Sequence, residues 1–546
     1  MRFSLQAAAV LVGFAAVTAA THRHPHPHAR QANGDYTLVD TTSGQARGVY
    51  LSNSGVYRYL GIPYAEDTGG QNRFKPAVRK ARVSGIIDAT HAGPSCVSTQ
   101  GNASRGALGF TGQQLPDPST WSEDCLLVNL YVNQAIRQRA GKGAKAAVII
   151  YVYGGSFMTG SPTIPIYDGV PFASANEDTI FVTFSYRHSI FGNPMSPQVT
   201  EYKGVGWNFG LTDMHLMLDW LQDNVASFGG DPNKIVMFGG SSGSTMVDAY
   251  GFSEYGKRNS VAKGLIIQSG AVLGMKLATG RTSNTDFGRP ASEWNTVASA
   301  VGCGKSGDEA QLACMRSKSW SEIAAASVSA GLAFGPTPDD VTWFSDFEAR
   351  SASGKVAKIP TIIGTNLNEA TLFGDPNSAL QSKIADAIFT PPYWTCPAAI
   401  ESADRARAGV PTWRYLYSGG WDAFLQGRPW IGTYHFSEIP QILGTTPAHW
   451  LSDPSKSAPA TPDQLANSRL FQKMWTAFAH DPLHGLEQFQ WPLYNPLKRT
   501  TAHIAKDNQQ GLVMEVGSRA DDKSCLSLAP LTKLMQGMDK TIKAGF

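Results

Sequence analysis

Charge is scarce in this sequence and almost balanced: Asp, Glu, Lys and Arg make up 16% of the 546 residues, with 46 basic side chains against 43 acidic ones. Without a cationic surplus there is little to neutralise a phosphate backbone, so no nucleic acid is expected as a partner. Long apolar runs are missing as well. After the first twenty residues none approaches the roughly 20 apolar residues that a membrane helix needs, so no transmembrane segment is expected. Internal repeats, coiled-coil heptads and long low-complexity linkers are absent after residue 33, which excludes solenoids and long helical rods. Nothing divides the body, and residues 34–546 read as one large domain. Apolar residues at 42% are enough to bury a sizeable core.

What is present begins with a targeting signature. Arg2 supplies a positive charge, Leu5 to Val17 are mostly apolar, and small residues follow at Thr18, Ala19 and Ala20. This pattern predicts a signal peptide over residues 1–19 and a secreted, extracellular protein. The tract His22-Arg-His-Pro-His-Pro-His28 has metal-ligating side chains, but its prolines and its place beside the signal peptide favour a flexible extension over residues 20–33. Six cysteines, Cys96, Cys125, Cys303, Cys314, Cys396 and Cys525, are an even set suited to an oxidising compartment, and from number alone they allow fifteen pairings. Asn102-Ala-Ser104 is the single glycosylation sequon, and so Asn102 is expected on the surface.

Short β-rich runs open the mature chain at Tyr36 to Val39, Gly48 to Leu51 and Val56 to Leu60, separated by turn residues. They predict an N-terminal antiparallel ribbon. From Ala146 onward the runs become continuously apolar: Ala146 to Val152, Thr179 to Ser185, Ile235 to Phe238, Gly264 to Ile267 and Ile359 to Ile363. Such runs suit strands buried on both faces of a mostly parallel sheet. Met214, Met217, Leu218, Leu221 and Val225 recur at helical spacing and predict a crossover helix packed by that stripe. The fold class is therefore α/β, a central mostly parallel sheet flanked by helices.

The run Ile235 to Phe238 leads straight into Gly239-Gly-Ser-Ser-Gly243, and Ser244 to Tyr250 suits a helix. A serine on a strand-to-helix turn flanked by glycines is a nucleophile elbow, with Ser241 as the nucleophile. The turn is strained, and glycine at 239 and 243 lets neighbouring backbone approach without a Cβ clash. A second glycine turn, Tyr153-Gly-Gly-Ser-Phe157, follows an apolar strand. Backbone N–H groups of Gly155 and Ser156, with that of Ser242, can form an oxyanion hole.

Beyond these two turns, Tyr59-Leu-Gly-Ile-Pro-Tyr-Ala-Glu66, Ser122-Glu-Asp-Cys-Leu126, Asn208-Phe-Gly-Leu-Thr-Asp213, Phe228-Gly-Gly-Asp-Pro232, Gln268-Ser-Gly270 and Trp491-Pro-Leu-Tyr494 follow in order. The set resembles the type-B carboxylesterase and lipase family, which also contains the cholinesterases, and the likeness to secreted fungal members spans most of the chain. The resemblance implies the α/β-hydrolase fold and the disulfides Cys96–Cys125, Cys303–Cys314 and Cys396–Cys525. It implies a structural ion pair between Glu123 and Arg73. Glu369, in Gly364-Thr-Asn-Leu-Asn-Glu369, matches the family's catalytic acid, and His435, in Gly432-Thr-Tyr-His-Phe-Ser-Glu438, matches its catalytic histidine. The order Ser, Glu, His agrees with that fold. His188, His215, His449, His480 and His484 lack such a motif.

The sequence departs from the family in four places. Gly240 stands where the family commonly has Glu before the nucleophile, Ser156 replaces the last of three glycines, and Leu372 occupies an aromatic position of the choline binders. The stretch from Glu369 to Cys396 is also short, which predicts an open site. Leu108, Phe110, Leu115 and Trp121 in the Cys96–Cys125 loop are too mixed with polar residues to read as a lipase lid. Together these features predict hydrolysis of a neutral carboxylic ester through an acyl-enzyme, with a small-molecule substrate and no cofactor or metal. Acyl transfer or lactone chemistry on a natural product would use the same machinery. A catalytically inactive binding module, of which the fold has examples, is opposed by the intact Ser241, Glu369 and His435.

Overall fold

The computed structural model describes residues 35–99, 115–143, 145–202, 204–278, 291–446, 455, 458–516 and 525. The expected signal peptide, the His/Pro-rich segment, Asn102 and His449 lie outside the described residues. Among the described residues the sixteen strands are β1 Leu38–Thr41, β2 Gly44–Arg47, β3 Val49–Leu51, β4 Val56–Pro63, β5 Ile86–Asp88, β6 Ser95–Cys96, β7 Trp121–Ser122 and β8 Leu127–Asn133, followed by β9 Ala146–Val152, β10 Thr179–Phe184, β11 Gly230–Gly240, β12 Ala262–Gln268, β13 Thr361–Asn366, β14 Thr412–Tyr417, β15 Thr501–Ile504 and β16 Leu512–Glu515.

Eleven of them form one sheet in the order β16-β15-β14-β13-β12-β11-β9-β10-β8-β4-β3. The run from β15 through β14, β13, β12, β11 and β9 to β10 is parallel, and antiparallel strands close both edges. The apolar runs read from the sequence occupy its centre. β9 and β10 are buried along their whole length, as strands covered on both faces must be.

Two boundaries moved for physical reasons. The run from Ile359 begins as a strand only at Thr361, because Pro360 has no N–H to give the ladder. The N-terminal ribbon is also two structures. β1, β2 and β5 make a separate three-stranded sheet, while β3 and β4 extend the main one. Gly44-Gln-Ala-Arg47 has no β-branched residue to announce a strand, and it is one because β1 and β5 pair with it.

The stripe Met214, Met217, Leu218, Leu221 and Val225 lies on the helix Phe209–Phe228 and is fully buried. Gly229, at φ 102°, ends that helix in the left-handed conformation, which only glycine takes without strain. Helices Ser242–Phe252 and Pro462–His480 also pack on the sheet. A second apolar cluster, built around Phe74, Phe191, Trp294 and Phe334, sits beside the main core. Arg73 and Glu123 stand at its edge as a bidentate buried pair, Nε to Oε1 at 2.6 Å, and Arg73 Nη1 also donates to the carbonyls of Met315 and Lys318. A pair so fully hydrogen-bonded offsets the desolvation of its charges.

The three disulfides join Cys96 to Cys125, Cys303 to Cys314 and Cys396 to Cys525, closing 29, 11 and 129 residues. Chain entropy assigns about 3 kcal/mol to the shortest closure and about 5 kcal/mol to the longest. Cys396→Ser/Cys525→Ser is therefore expected to lower the urea midpoint more than Cys303→Ser/Cys314→Ser. Equal shifts would show that the long closure does not restrain the unfolded chain.

Candidate active site

Strand order reverses at β9. The chain leaves β9 for β10 on one side and returns to β11 on the other, continuing away to β12 and β13. Such a switch point leaves a crevice at the carboxyl ends of the two diverging strands. Val152 of β9 pairs with Gly239 of β11, so the turn after Val152 and the turn after Gly240 leave the sheet side by side.

Ser241 sits on the second of these turns at φ 56°, ψ −128° and directly precedes the helix Ser242–Phe252. Its N–H donates to the Gln268 carbonyl at 3.0 Å and its carbonyl accepts from Thr245 N–H at 2.9 Å, so backbone bonds hold the strained residue. The glycines around it are sterically required. A Cβ at Gly243 would lie 2.1 Å from the Val152 carbonyl oxygen, and one at Gly239 would lie 2.5 Å from the Gly243 carbonyl.

The first turn packs against the second. Gly155 takes φ 134°, and a Cβ there would stand 2.2 Å from the Thr159 carbonyl oxygen. Ser156 follows at φ 57° with an exposed side chain. Phe157 N–H donates to Ser242 Oγ at 3.2 Å, tying the turn to the start of the helix. The backbone of Gly155, Ser156 and Ser242 is thus gathered beside Ser241, where the helix dipole also favours negative charge.

β13 ends at Asn366, and Glu369 follows it, fully buried. Its Oε1 accepts from Asn366 N–H at 2.6 Å and its Oε2 pairs with His435 Nδ1 at 2.6 Å. His435 N–H also donates to the Glu369 carbonyl at 3.2 Å. Both carboxylate oxygens are committed, and the imidazole is held from ring and backbone together. Phe436, next in the chain, reaches the serine turn: a Cβ at Gly154 would lie 2.8 Å from the Phe436 ring and 2.9 Å from Ser241 Cβ.

The other histidines have separate settings. His188 is buried with Nε2 against the Gly160 carbonyl at 3.2 Å, and burial holds its pKa down at about 4. His215 stacks on Tyr255 at 4.3 Å and is pushed to about 3 by burial. His480 faces Asp178, and His484 pairs with Glu487 at the surface.

Three features of the site escaped the sequence. Glu438 is a second buried carboxyl near the pair, pushed up to about 7 by burial and by repulsion from Glu369, against the stabilising hydrogen bond from Asn366. Asn366 therefore touches both acids, with its main-chain N–H on Glu369 and its Nδ2 on Glu438 Oε2. Glu438 follows His435 by three residues, so its nearness was readable in the chain, though its burial was not. The second feature is aromatic. Position 372 is Leu as expected, but the rings of Phe436, Trp394 and Phe373 lie 4.7, 5.1 and 6.3 Å from that of His435. Third, the short stretch before Cys396 does not leave His435 open. It folds into the helix Ala379–Thr390 and the π-helical segment Pro391–Thr395, which brings Trp394 to 5.1 Å from the His435 ring at a tilt of 52°, and only 8% of His435 remains exposed.

Among the described residues no group of three His, Cys, Asp or Glu side chains could hold a metal ion, and no helix is long and apolar enough to cross a membrane.

The profile described as Carboxylesterase family matches residues 35–387. Secreted lipase 5 of Gibberella zeae is 29% identical over 501 residues, covering 86% of this chain and 90% of that one. Chlorogenic acid esterase of Aspergillus niger is 30% identical over 465 residues, covering 84% and 85%. Cholinesterase of Mus musculus is 30% identical over 368 residues, covering 65% and 57%. A solved structure of a PNB esterase superposes with a TM-score of 0.72 at 23% identity, over 90% of this chain and 99% of that one. That likeness is one of fold.

Proposed function

Because the chain belongs to the carboxylesterase family and is an ester hydrolase of the serine carboxylesterase type, we propose that it cleaves neutral carboxylic esters through an acyl-enzyme on Ser241. The observation that carries this reading is the 2.6 Å bond between His435 Nδ1 and Glu369, beside a serine on a strained turn at the carboxyl end of β11. With Nδ1–H held by the carboxylate, Nε2 is left as the basic nitrogen.

In the proposed cycle, Nε2 takes the Ser241 proton as Oγ attacks the ester carbonyl. The tetrahedral oxyanion accepts N–H bonds from Gly155, Ser156 and Ser242, each of which contributes about 3 kcal/mol when well aimed. Collapse expels the alcohol, which leaves with the proton from His435. Water, deprotonated by the same nitrogen, then releases the acid and restores Ser241.

We assign residues 1–19 to a signal peptide, residues 20–33 to a His/Pro-rich segment and residues 34–546 to one catalytic domain, secreted and glycosylated at Asn102. Support comes from the charged and apolar pattern of the leader, from three disulfides, which need an oxidising compartment, and from one sheet that draws strands from Val49 through Glu515. A relative of similar length is also named as secreted.

Gly240 leaves no carboxylate beside the nucleophile, and Glu438 is fully buried with its oxygens bonded to Gln268 and Asn366. A quaternary ammonium group therefore lacks an attraction of about 1 kcal/mol or more. The test is an ester panel that includes butyrylcholine and its uncharged isostere 3,3-dimethylbutyl butyrate at fixed ionic strength. Hydrolysis of neutral esters is expected, with kcat/KM for the choline ester no greater than for the isostere. A clear preference for the choline ester would show that the rings near His435 act as a cation site and overturn the neutral-ester reading.

A further inference from the structure

The backbone at Phe436 takes φ 76°, a conformation that an aromatic residue adopts only where its surroundings over-determine it. The surroundings here are two glycines and a histidine. A Cβ at Gly240 would lie 2.9 Å from Phe436 Cε1 and 3.4 Å from its Cδ1, with Ile439 Cδ1 also at 3.4 Å. Beside it, a Cβ at Gly154 would lie 2.8 Å from the adjoining ring atom, Phe436 Cζ, and 2.5 Å from the Gly240 carbonyl oxygen. The His435 ring meets the Phe436 ring edge-on, at 4.7 Å and 75°. Ile439 N–H donates to the Phe436 carbonyl at 3.1 Å, fixing the turn that aims the ring. Only 6% of Phe436 is exposed. The space beside the serine that any side chain at 240 would need is thus filled by an apolar ring from another segment.

We propose that Phe436 is a positioning and specificity-determining residue: its ring, admitted by Gly240 and Gly154, plugs the volume next to Ser241 and braces the imidazole of His435. The inference rests on the reading of Ser241 and His435 as nucleophile and base. A plug at this place sets an upper limit on the size of the substrate group that lies against it. It also makes positions 240 and 436 interdependent, since a methyl group at 240 must displace a ring that packs against His435.

The test uses the full-length protein as Gly240→Ala, Phe436→Ala and the double variant, with 4-nitrophenyl acetate against 4-nitrophenyl pivalate and methyl butyrate against tert-butyl butyrate. Phe436→Ala is expected to raise the bulky-to-small ratio of kcat/KM in one of the two pairs by roughly tenfold or more, the scale on which a pocket distinguishes added carbon groups. Which pair responds identifies whether the acyl or the alcohol group faces the ring. Gly240→Ala is expected to lower kcat without a matching rise in KM, and Phe436→Ala in the same chain is expected to recover part of that loss by removing the clash. A structural role alone would make the second substitution worse. Phe436→Leu removes less bulk and gives the same readings in graded form if Phe436→Ala fails to fold. Unchanged ratios in both pairs, or additive losses in the double variant, would overturn the role of Phe436 while leaving Ser241 and His435 as assigned. A wild-type protein that turns over none of the four esters would instead bring down the reading of the site itself.

Discussion

The Ser241→Ala variant is expected to remain folded and to lose ester hydrolysis by a factor of about 10⁶, the scale on which other serine hydrolases depend on their nucleophile. The stability half of this expectation comes from the turn. Ser241 precedes its helix without a side-chain capping bond, so removing the hydroxyl costs the helix no cap. The backbone bonds from Ser241 to Gln268 and Thr245 are indifferent to the side chain. A fluorophosphonate probe, which reports an activated serine by forming a covalent bond to it, is expected to label the wild type at Ser241 and to leave the variant unlabelled at an unchanged urea midpoint. Labelling at another residue, with hydrolysis retained by Ser241→Ala, would move the nucleophile elsewhere.

The second large effect is expected at Glu369. Its two oxygens serve two donors, Asn366 N–H and His435 Nδ1, each at 2.6 Å. A glutamine offers one oxygen for both. If the amide oxygen stays with His435, the NH₂ group faces the Asn366 N–H and two donors collide. If it turns to Asn366, the NH₂ group faces Nδ1, the ring proton shifts to Nε2, and the base can no longer take the serine proton. Glu369→Gln is therefore expected to lower kcat by about 10⁴, as loss of the correct tautomer does in other triads, with much smaller change in KM. Glu438→Gln is the internal comparison. That carboxyl is bonded to Gln268 and Asn366 rather than to the imidazole, and its substitution is expected to leave kcat within about tenfold. The reverse ranking of the two variants would make Glu438 the acid that supports His435.

Several of these groups were legible before any fold existed. Ser241 announces itself because an elbow needs glycine on both sides, and that need is met by neighbours in the chain at Gly239 and Gly243. The central strands β9 to β13 were readable because burial on both faces leaves no polar alternation to confuse them. Glu369 and His435 could be named only from the motifs around them, since an acid or a histidine in isolation has no local signature of its role. The edges read less well. β2 is a strand by pairing alone, and the N-terminal ribbon divides between two sheets.

What the sequence determined by itself are the features whose physical causes are local: the leader's charge and hydropathy, the period of the crossover helix, and the glycines of two strained turns. Tertiary structure alone decided the surroundings of His435. Trp394 lies 41 positions before it, yet its ring stands 5.1 Å away, and Leu372 gives no hint that the aromatic faces come from other positions. The shift of Glu438 to about 7 and the fit of the Phe436 ring over Gly240 have the same origin. Desolvation, charge repulsion and steric fit depend on distance in space, and distance in space between segments so far apart is set only when the sheet brings the carboxyl ends of β9, β11 and β13 to one side.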